Sequence, residues 1–420
     1  MQNFYTIEKN IRDASEKALN LCKGQFEYID EIRNHNQLKM LKAFQEARVS
    51  ESMFGGSSGY GYDDRGRDAL DAVYSYVFDA EDALVRHNFV SGTHALTVAL
   101  FAVLRPGDLM LSVTGTPYDT LRGAIGINSD YSGSLKDFGV IYDEISLNEK
   151  GRVDIRALEA YLLKKKPKMV YIQRSRGYEL RPSLTNDDIK AICDLSKRLS
   201  PESIVMLDNC YGEFVEFDSP HNYSVDLMAG SMIKNPGGGI ARTGGYITGR
   251  RDLVEKAAFR LTTPGTGKEL GATLDMTREL FMGAYNAPQI TASALKTAVF
   301  SSALFELLGY EVTPSYKDKR GDIIQVISMN GKEELVEFCR GIQQAAPVDS
   351  FVTPEPCDMP GYDCQVVMAS GSFTLGSSIE LSCDAPIRPP FAVWFQGAHN
   401  FDAGKLGIML AAEGVSKLKK

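Results

Sequence analysis

A lysine set among small residues is the side chain of this sequence best suited to covalent chemistry. Lys234 is the single lysine of the segment GSMIKNPGGGIARTGGY, residues 230 to 246, and Ser231 lies three residues before it. Most lysines are solvated and charged, but one that is withdrawn from water can lose its charge and act as an amine nucleophile. Small, flexible residues do not support a charged surface helix, so we interpret Lys234 as a candidate nucleophile.

The segment FVSGTHALTVALFAVL could bind a phosphate group. Gly92 would let the backbone turn tightly after a strand-like start, and a helical apolar pattern follows it. The amide groups of Gly92, Thr93 and His94 would then open a helix, and helix N-termini bind anions. The alternative is an ordinary glycine turn in which Thr93 caps the helix.

Two further candidate residues come at the ends of predicted strands. Tyr118 follows the apolar run DLMLSV, residues 108 to 113, where it could stack on a flat ring or simply pack against its neighbours. Asp208 ends the run SIVMLD, residues 203 to 208. A carboxylate at the end of a buried strand is costly unless it meets a cation or a hydrogen-bond donor. Asp208 could therefore pair with a protonated ring nitrogen or cap a helix.

The elements that must position these residues form a pattern typical of an α/β domain. From about residue 68 to 260, short apolar runs alternate with helical patterns, and KMVYIQ, residues 168 to 173, is a further example of such a run. Continuous apolar strands separated by helices predict a mainly parallel sheet that is buried on both faces. Ligands bind at the carboxyl ends of the strands in such a sheet, where the candidate residues lie.

The two ends of the chain follow other patterns. Residues 11 to 49 have apolar side chains at helical spacing, which predicts two amphipathic helices packed on the body or on a second subunit. After about residue 298 the pattern becomes mixed, with a strand-like DIIQVI and a helical GKEELVEFCRGI. We expect an N-terminal helical arm (1–50), a large domain (51–298) and a smaller α+β domain (299–420).

The composition excludes several classes of function. The chain has 420 residues and a formal net charge of −8, which argues against a nucleic-acid or anionic-membrane partner. The N-terminus has no apolar core typical of a signal peptide, and the longest apolar run, Ala95 to Leu104, is about half of the ~20 residues that span a membrane. The seven cysteines have no metal-ligand or redox spacing. We expect a cytoplasmic protein without a metal site.

In their order and spacing, these stretches resemble the pyridoxal 5′-phosphate enzymes of the aspartate aminotransferase fold, fold type I. The resemblance is closest to the cystathionine and methionine lyases, and among these to the methionine γ-lyase or aluminium-resistance family. It extends over nearly the whole chain, and it also includes the segments SSGYGYDDRGRDALDAVYSYVFDAEDALV, LDNCYGEF and SSIELSCDAPIRPPFAVWFQGAHNF.

The resemblance implies a role for each candidate residue. Lys234 would bind the cofactor aldehyde covalently and later move protons, with glycines that let the backbone approach the cofactor. Asp208 would pair with the ring nitrogen and keep it protonated, and Tyr118 would stack on the ring. The phosphate would be held by residues of the glycine turn and of the lysine segment, namely Ser91, Gly92, Thr93, His94 and Ser231.

The same resemblance implies that the active unit is an oligomer. Tyr62 and Arg65, in the stretch YGYDDR, are analogues of a tyrosine and an arginine that reach the phosphate of the neighbouring subunit in this fold group. We therefore expect a homodimer or homotetramer. The alternative is that this stretch is only a flexible glycine loop.

The sequence also departs from the better-known sulfur-amino-acid lyases. Their Ser-x-Thr-Lys motif is here Ser231-Met-Ile-Lys234, and their asparagine after a central strand is replaced by Gln173-Arg-Ser-Arg176. Their C-terminal arginine just before the last strand is missing. Arg388, in APIRPPF, is our candidate for binding the substrate carboxylate, although it could equally form an ordinary ion pair. These departures concern the substrate rather than the cofactor.

The expected function is a carbon-sulfur lyase that cleaves a sulfur-containing amino acid, methionine or a cystathionine-like compound, by β- or γ-elimination. One alternative is another enzyme of this fold, such as a threonine-aldolase-like lyase, although Asp208 is followed by Asn-Cys rather than by the Gly-Ala-Arg of aldolases. The other is a non-catalytic protein on the same fold, which would be expected to lose Lys234 or Asp208.

Overall fold

The computed structural model describes residues 4–127, 132–359 and 364–419, so parts of all three predicted domains lie outside it: residues 1–3 of the arm, 128–131 of the large domain, and 360–363 and 420 of the small domain. The chain begins with two helices, α1 (Lys9–Leu21) and α2 (Lys23–Glu46). Each turns an apolar stripe inward, with Ile11 and Ala18 buried in α1 and Ile29 and Ile32 buried in α2. These are the two amphipathic helices that the apolar spacing predicts.

A seven-stranded sheet forms the centre of the large domain, in the order β1-β7-β6-β5-β4-β2-β3. Neighbouring strands from β3 to β6 are parallel, and β7 is antiparallel to both of its neighbours. The predicted α/β class with a mainly parallel sheet is confirmed. The strands are β1 (Asp82–Arg86), β2 (Leu109–Ser112), β3 (Ile141–Glu144), β4 (Met169–Gln173), β5 (Ile204–Asp208), β6 (Leu227–Ser231) and β7 (Gly245–Gly249).

Helices cover both faces of this sheet, which is why its central strands read as continuous apolar runs. Alternate residues of β4 show the division: Val170 and Ile172 belong to one apolar core, and Met169 and Tyr171 belong to the core on the other face. The helices are α3 (Arg65–Val77), α4 (Gly92–Val103), α5 (Asp119–Ile125), α6 (Ile155–Lys164), α7 (Asn186–Leu199) and α8 (Arg251–Leu261).

A long helix, α9 (Thr277–Leu307), connects the large domain to the small one. Leu280 and Phe281, near its start, pack in a core of the large domain, while Phe300 and Phe305, near its end, pack in the core of the small domain. Its composition and length would suit a membrane span, but 78% of its apolar window is buried inside the protein, so it is an interior helix. The expected domain boundary at residue 298 falls within this helix.

The small domain contains a five-stranded antiparallel sheet in the order β10-β11-β12-β9-β8 and two helices. Its strand in DIIQVI begins at Gln325 rather than at Asp322, because the Asp322 carboxylate accepts the amide of Ile324 and turns the chain there. The elements are β8 (Val312–Thr313), β9 (Gln325–Ser328), α10 (Lys332–Gln344), β10 (Val366–Ser370), β11 (Ser382–Pro386), β12 (Ala392–Gln396) and α11 (Phe401–Lys417).

Candidate active site

A cavity of about 240 Å³ lies at the carboxyl ends of the parallel strands. It brings together residues that are far apart in the sequence, because parallel strands end at the same edge of a sheet. We call it the main cavity. The residues expected from the sequence that line it are Ser91, Gly92, Thr93, Tyr118, Asp208, Ser231 and Lys234.

The glycine turn forms the N-terminus of α4, and its capping residue differs from the one considered above. Ser91, not Thr93, is the N-cap: its Oγ accepts the amide N–H of His94 at 3.0 Å. Thr93 instead shares a hydrogen bond of 2.7 Å with Thr120. A Cβ at residue 92 would lie 3.0 Å from that of Ser231, so glycine lets the helix terminus approach the end of β6 closely.

His94 is the one residue of the predicted phosphate turn that is not among those lining the main cavity. Its amide is used by the Ser91 cap, and its ring Nδ1 accepts the amide of Val90 at 3.2 Å. The backbone amide and the ring Nδ1 of this residue therefore stabilise the turn.

Tyr118 comes after β2 and Asp208 ends β5, and β4 lies between these two strands in the sheet. The amide of Tyr118 donates to Oε1 of Gln173 at 2.7 Å, so the glutamine that ends β4 positions the tyrosine. Asp208 is 7% exposed, and its Oδ1 accepts the amide of Cys210 at 3.0 Å. Burial raises the pKa of Asp208, while the charge of Lys234 lowers it. No α-helix begins at Asp208 in the described chain, so the helix-cap interpretation is wrong.

Lys234 comes three residues after the end of β6, and its Nζ lies 3.9 Å from the centroid of the Tyr211 ring. Burial lowers the pKa of Lys234, while the neighbouring Cys210, Tyr211 and Asp208 raise it, and the net pKa is raised. The negative charge of Asp208 thus stabilises the protonated amine, which desolvation alone would disfavour. A cation paired with Asp208 would remove part of that stabilisation and favour the neutral amine.

The glycines after Lys234 are needed for packing within the chain. A Cβ at Gly238 would lie 2.6 Å from the carbonyl oxygen of Gly283 in α9, and one at Gly239 would lie 1.7 Å from the ring of His399. These residues therefore let the lysine segment pack closely against α9 and the small domain, a use that the sequence alone did not indicate.

Tyr62 and Arg65 lie away from the main cavity of their own chain. Tyr62 is 61% exposed, and Arg65 is the first residue of α3. The loop before them is held in place, because Arg67 donates to the carbonyl of Gly61 at 2.7 Å and to that of Gly271 at 3.2 Å. These bonds favour an ordered conformation of the loop over a flexible one.

The comparison with known proteins decides the family. A family model described as methionine gamma-lyase matches residues 11–416. The chain belongs to this family. The predicted resemblance to the methionine γ-lyase or aluminium-resistance family is thus confirmed.

Solved structures of relatives share the whole fold. A carbon-sulfur lyase involved in aluminum resistance from Clostridium novyi NT is 50% identical, with a TM-score of 0.93 and coverage of 97% of this chain and 96% of that chain. A protein from Clostridium acetobutylicum, named as a candidate cystathionine beta-lyase involved in aluminum resistance, is 48% identical, with a TM-score of 0.94 and coverage of 98% and 97%.

Two further proteins broaden the comparison. The uncharacterized protein YnbB of Bacillus subtilis (strain 168) is 44% identical over 393 residues, which is 93% of each chain. The pyridoxal-5′-phosphate dependent protein YhfS from Escherichia coli has a TM-score of 0.62 at 16% identity, over 93% of this chain and 97% of that chain. At that identity YhfS shows a shared fold only.

The main cavity fits the pyridoxal phosphate that the methionine gamma-lyase family implies. The Oγ of Ser231 is buried and has no hydrogen-bond partner in the described part of the chain, and it lies beside Gly92 at the N-terminus of α4. A phosphate would accept from both the hydroxyl and the helix terminus. Asp208 offers a buried carboxylate to a ring nitrogen, and Lys234 offers the amine for an aldehyde.

A second cavity of about 320 Å³ adjoins the main one, and Arg388 lines it. We call it the arginine cavity, because Arg122 and Arg176 line it as well, together with Asp119 and Glu179. The residues lining both cavities are Tyr118, Gln173, Gly177 and Tyr178. The two spaces therefore share a wall, and one ligand could extend from one to the other.

Sequence reasoning missed the small-domain side of the main cavity. Ile324, Asp384, Trp394 and Gln396 line it, and Tyr211 lies under Lys234. The signal for Asp384 was a charged residue within a strand of otherwise small residues, β11, in which every residue is buried. Nothing in the spacing indicated that this strand faces Lys234.

Proposed function

We propose that this chain is a pyridoxal 5′-phosphate-dependent carbon-sulfur lyase that eliminates a thiol from a sulfur-containing amino acid. The observation that carries the proposal is the convergence of Lys234, Asp208 and the unpartnered Ser231 hydroxyl on one cavity in a chain of the methionine gamma-lyase family. A non-catalytic protein would have no reason to keep both the lysine and the aspartate there.

Each of these residues of the main cavity would have its own role in the reaction. When bound, the cofactor supplies an electron sink for a carbanion at the substrate α-carbon. Ser231 and the N-terminus of α4 would bind the phosphate, and the carboxylate of Asp208 would hold a proton on the ring nitrogen. Tyr118 would cover the ring, with its backbone fixed by Gln173. Lys234 Nζ, freed when the substrate amine replaces it, would accept the α-proton.

The test of this function is a product assay over a panel of thioether amino acids. We expect a thiol and a 2-oxo acid to appear in equal amounts, with ammonia, from at least one member of the panel. Cystathionine distinguishes the two eliminations, since β-elimination yields pyruvate and homocysteine, whereas γ-elimination yields 2-oxobutanoate and cysteine. Release of glycine from threonine without any thiol from the panel would support the aldolase-like alternative instead.

Arg388 is our proposed binding residue for the substrate α-carboxylate. Arg388 lines the arginine cavity together with Tyr118. Arg174 is a poorer candidate, because it does not line this cavity and its guanidinium already pairs with Glu216 at 2.8 Å and donates to Asn209 at 2.9 Å. Replacing Arg388 by alanine should raise KM and lower kcat/KM by ~30-fold, since a guanidinium–carboxylate pair contributes about 2 kcal/mol. The visible spectrum of the bound cofactor should not change.

Arg122→Ala is the matched control for Arg388, because it removes another guanidinium from the same cavity. Arg122 already pairs with Asp119 at 2.7 Å and donates to the carbonyl of Pro117 at 2.9 Å. Its replacement should therefore cost less than that of Arg388. Unaltered kinetics in Arg388→Ala would make Arg176 the better candidate for binding the substrate α-carboxylate.

We further propose that Tyr62 and Arg65 complete the phosphate site of a neighbouring copy in a homodimer or homotetramer. Neither residue is among those lining the main cavity of its own chain, and Arg67 holds the loop before them at Gly61. Mixing a Lys234→Ala chain with an Arg65→Ala chain should then restore activity, since one of the two sites in a mixed dimer is intact. Subunit exchange is monitored by mass spectrometry of the intact assembly.

The control for this complementation uses Arg48→Ala, an arginine at the end of the helical arm, in place of Arg65→Ala. That chain should be active alone and should gain nothing from mixing. Absence of recovery with Arg65→Ala, after exchange is verified, would place Arg65 outside any shared site.

A cytoplasmic location is also proposed, and it is supported by the seven cysteines, all of which are free thiols.

A further inference from the structure

The small-domain side of the main cavity carries a carboxylate that the proposed chemistry does not use. Asp384, in β11, is 8% exposed and lines the cavity with Lys234. Its Oδ2 accepts hydrogen bonds from Tyr178 Oη at 3.0 Å and from Gln396 Nε2 at 3.2 Å. Both donors are neutral. Among the described residues, no lysine, arginine or histidine forms an ion pair with Asp384.

A buried carboxylate bound only by neutral donors is costly, and the cost decreases when a cation is placed beside it. Burial raises the pKa of Asp384 to about 6, while the charge of Lys234 lowers it. The surroundings suit an organic cation, since the aromatic side chains of Tyr118, Tyr178, Tyr211 and Trp394 line the same cavity. Aromatic faces attract ammonium groups, and a carboxylate adds a direct ion pair.

The position of Asp384 also separates the charges of an amino-acid substrate. A carboxylate here would repel the substrate α-carboxylate, which is consistent with placing that group toward Arg388 across the shared wall. The substrate α-amino group is needed at Lys234, where it replaces the lysine amine. With the α-amino group placed there, Asp384 is available to a second cation, one carried on the sulfur substituent.

We propose that Asp384 is a specificity-determining residue that binds an ammonium group on the sulfur substituent of the substrate. The inference rests on the proposed function and adds the substrate class: thioether amino acids whose departing thiol carries an ammonium group, in preference to uncharged alkyl thioethers such as methionine. Tyr178 and Gln396 orient the carboxylate by holding Oδ2, and the side chains of Tyr178 and Trp394 would contact the ammonium.

The test compares two isosteric substrates, S-(2-aminoethyl)-L-cysteine and S-propyl-L-cysteine, which differ by an ammonium in place of a methyl group. The corresponding homocysteine derivatives are included because elimination is from either the β- or the γ-carbon. We expect wild-type kcat/KM to be at least ~10-fold higher for the aminoethyl compound. In Asp384→Asn this ratio should fall to about one, through a higher KM for the amine, with the propyl compound changed less than ~3-fold.

The matched control is Asp143→Asn, which removes a carboxylate that is also bound by a tyrosine hydroxyl, Tyr161 at 2.7 Å, but lies at the edge strand β3. The ratio should stay at the wild-type value in that variant. Equal wild-type kcat/KM for the two compounds would overturn the proposal. An equal loss on both compounds in Asp384→Asn would also overturn it, since Asp384 would then act on the α-amino group or on the fold.

A binding measurement separates this inference from the proposed function. If no thioether is cleaved, the lyase function is wrong, and the dissociation constants of the same pair are measured by calorimetry with Lys234→Ala, in which turnover should be too slow to disturb the measurement. Tighter binding of the aminoethyl compound, lost in the Lys234→Ala/Asp384→Asn double variant, supports the ammonium site independently of catalysis. Equal dissociation constants for the two compounds refute it.

Discussion

Lys234→Ala should abolish the covalent attachment of pyridoxal phosphate and lower the turnover rate by about 10³-fold or more, since the side chain serves both as the point of attachment and as the proton acceptor. Borohydride reduction followed by peptide mass spectrometry measures the first effect directly. In the wild type, the peptide that contains Lys234 should gain the mass of the reduced cofactor. In the variant it should not.

The same variant should still bind the cofactor without a covalent bond. Ser231, Asp208 and the N-terminus of α4 remain in place, and none of them depends on the lysine for its position. Equilibrium dialysis should therefore show weakened but measurable retention. This result separates loss of chemistry from loss of the site.

The sequence provides a matched control in a second lysine flanked by glycine. Lys268 lies outside the main cavity, where it pairs with Asp82 at 2.7 Å and Asp71 at 3.3 Å. Lys268→Ala should keep both the covalent attachment and the turnover rate, although the loss of two ion pairs should lower its thermal stability. A reducible adduct that persists in Lys234→Ala would show that another amine holds the cofactor.

Asp208→Asn should keep the fold and lower kcat by about 10²-fold or more. The asparagine is nearly the same size and can still accept the amide of Cys210, but it has no negative charge with which to keep a ring nitrogen protonated. The electron sink would then be weaker in the transition state. The measurement is kcat at saturating substrate and cofactor, with thermal unfolding recorded on the same samples.

Asp226→Asn provides the contrast for Asp208. Asp226 is also a buried carboxylate of the large domain, but it accepts the amide of Val205 and pairs with Lys197 away from the cavity. Its replacement should lower the melting temperature with little change in kcat. If Asp208→Asn behaves in the same way, with near wild-type turnover and reduced stability, then Asp208 is a structural residue and the proposed role is incorrect.

Sequence reasoning reached the large-domain half of the site because local patterns fix it. Tyr118 and Asp208 follow short apolar runs, and parallel strands end at one edge, so proximity in space followed from position in each segment. The exact capping residue could not be predicted, since Ser91 and Thr93 both suit an N-cap and only the backbone geometry selects Ser91.

The remaining features depend on tertiary contacts between distant segments. Asp384 faces Lys234 because of how the small domain docks, and no period or motif encodes that docking. Gly238 and Gly239 meet Gly283 and His399, each from another element, so the need for glycine in this packing could not be predicted. Family resemblance supplied the chemistry, but the resemblance carried no information on this wall of the site.

The path of α9 has a consequence for how the protein unfolds. Its first turns belong to the core that lies against the large sheet, and its last turns belong to the core of the small domain. Separating the two halves would therefore strip apolar side chains from both cores along one continuous helix. The molecule should melt in a single cooperative transition, and a cut within this helix should leave two fragments that cannot fold independently.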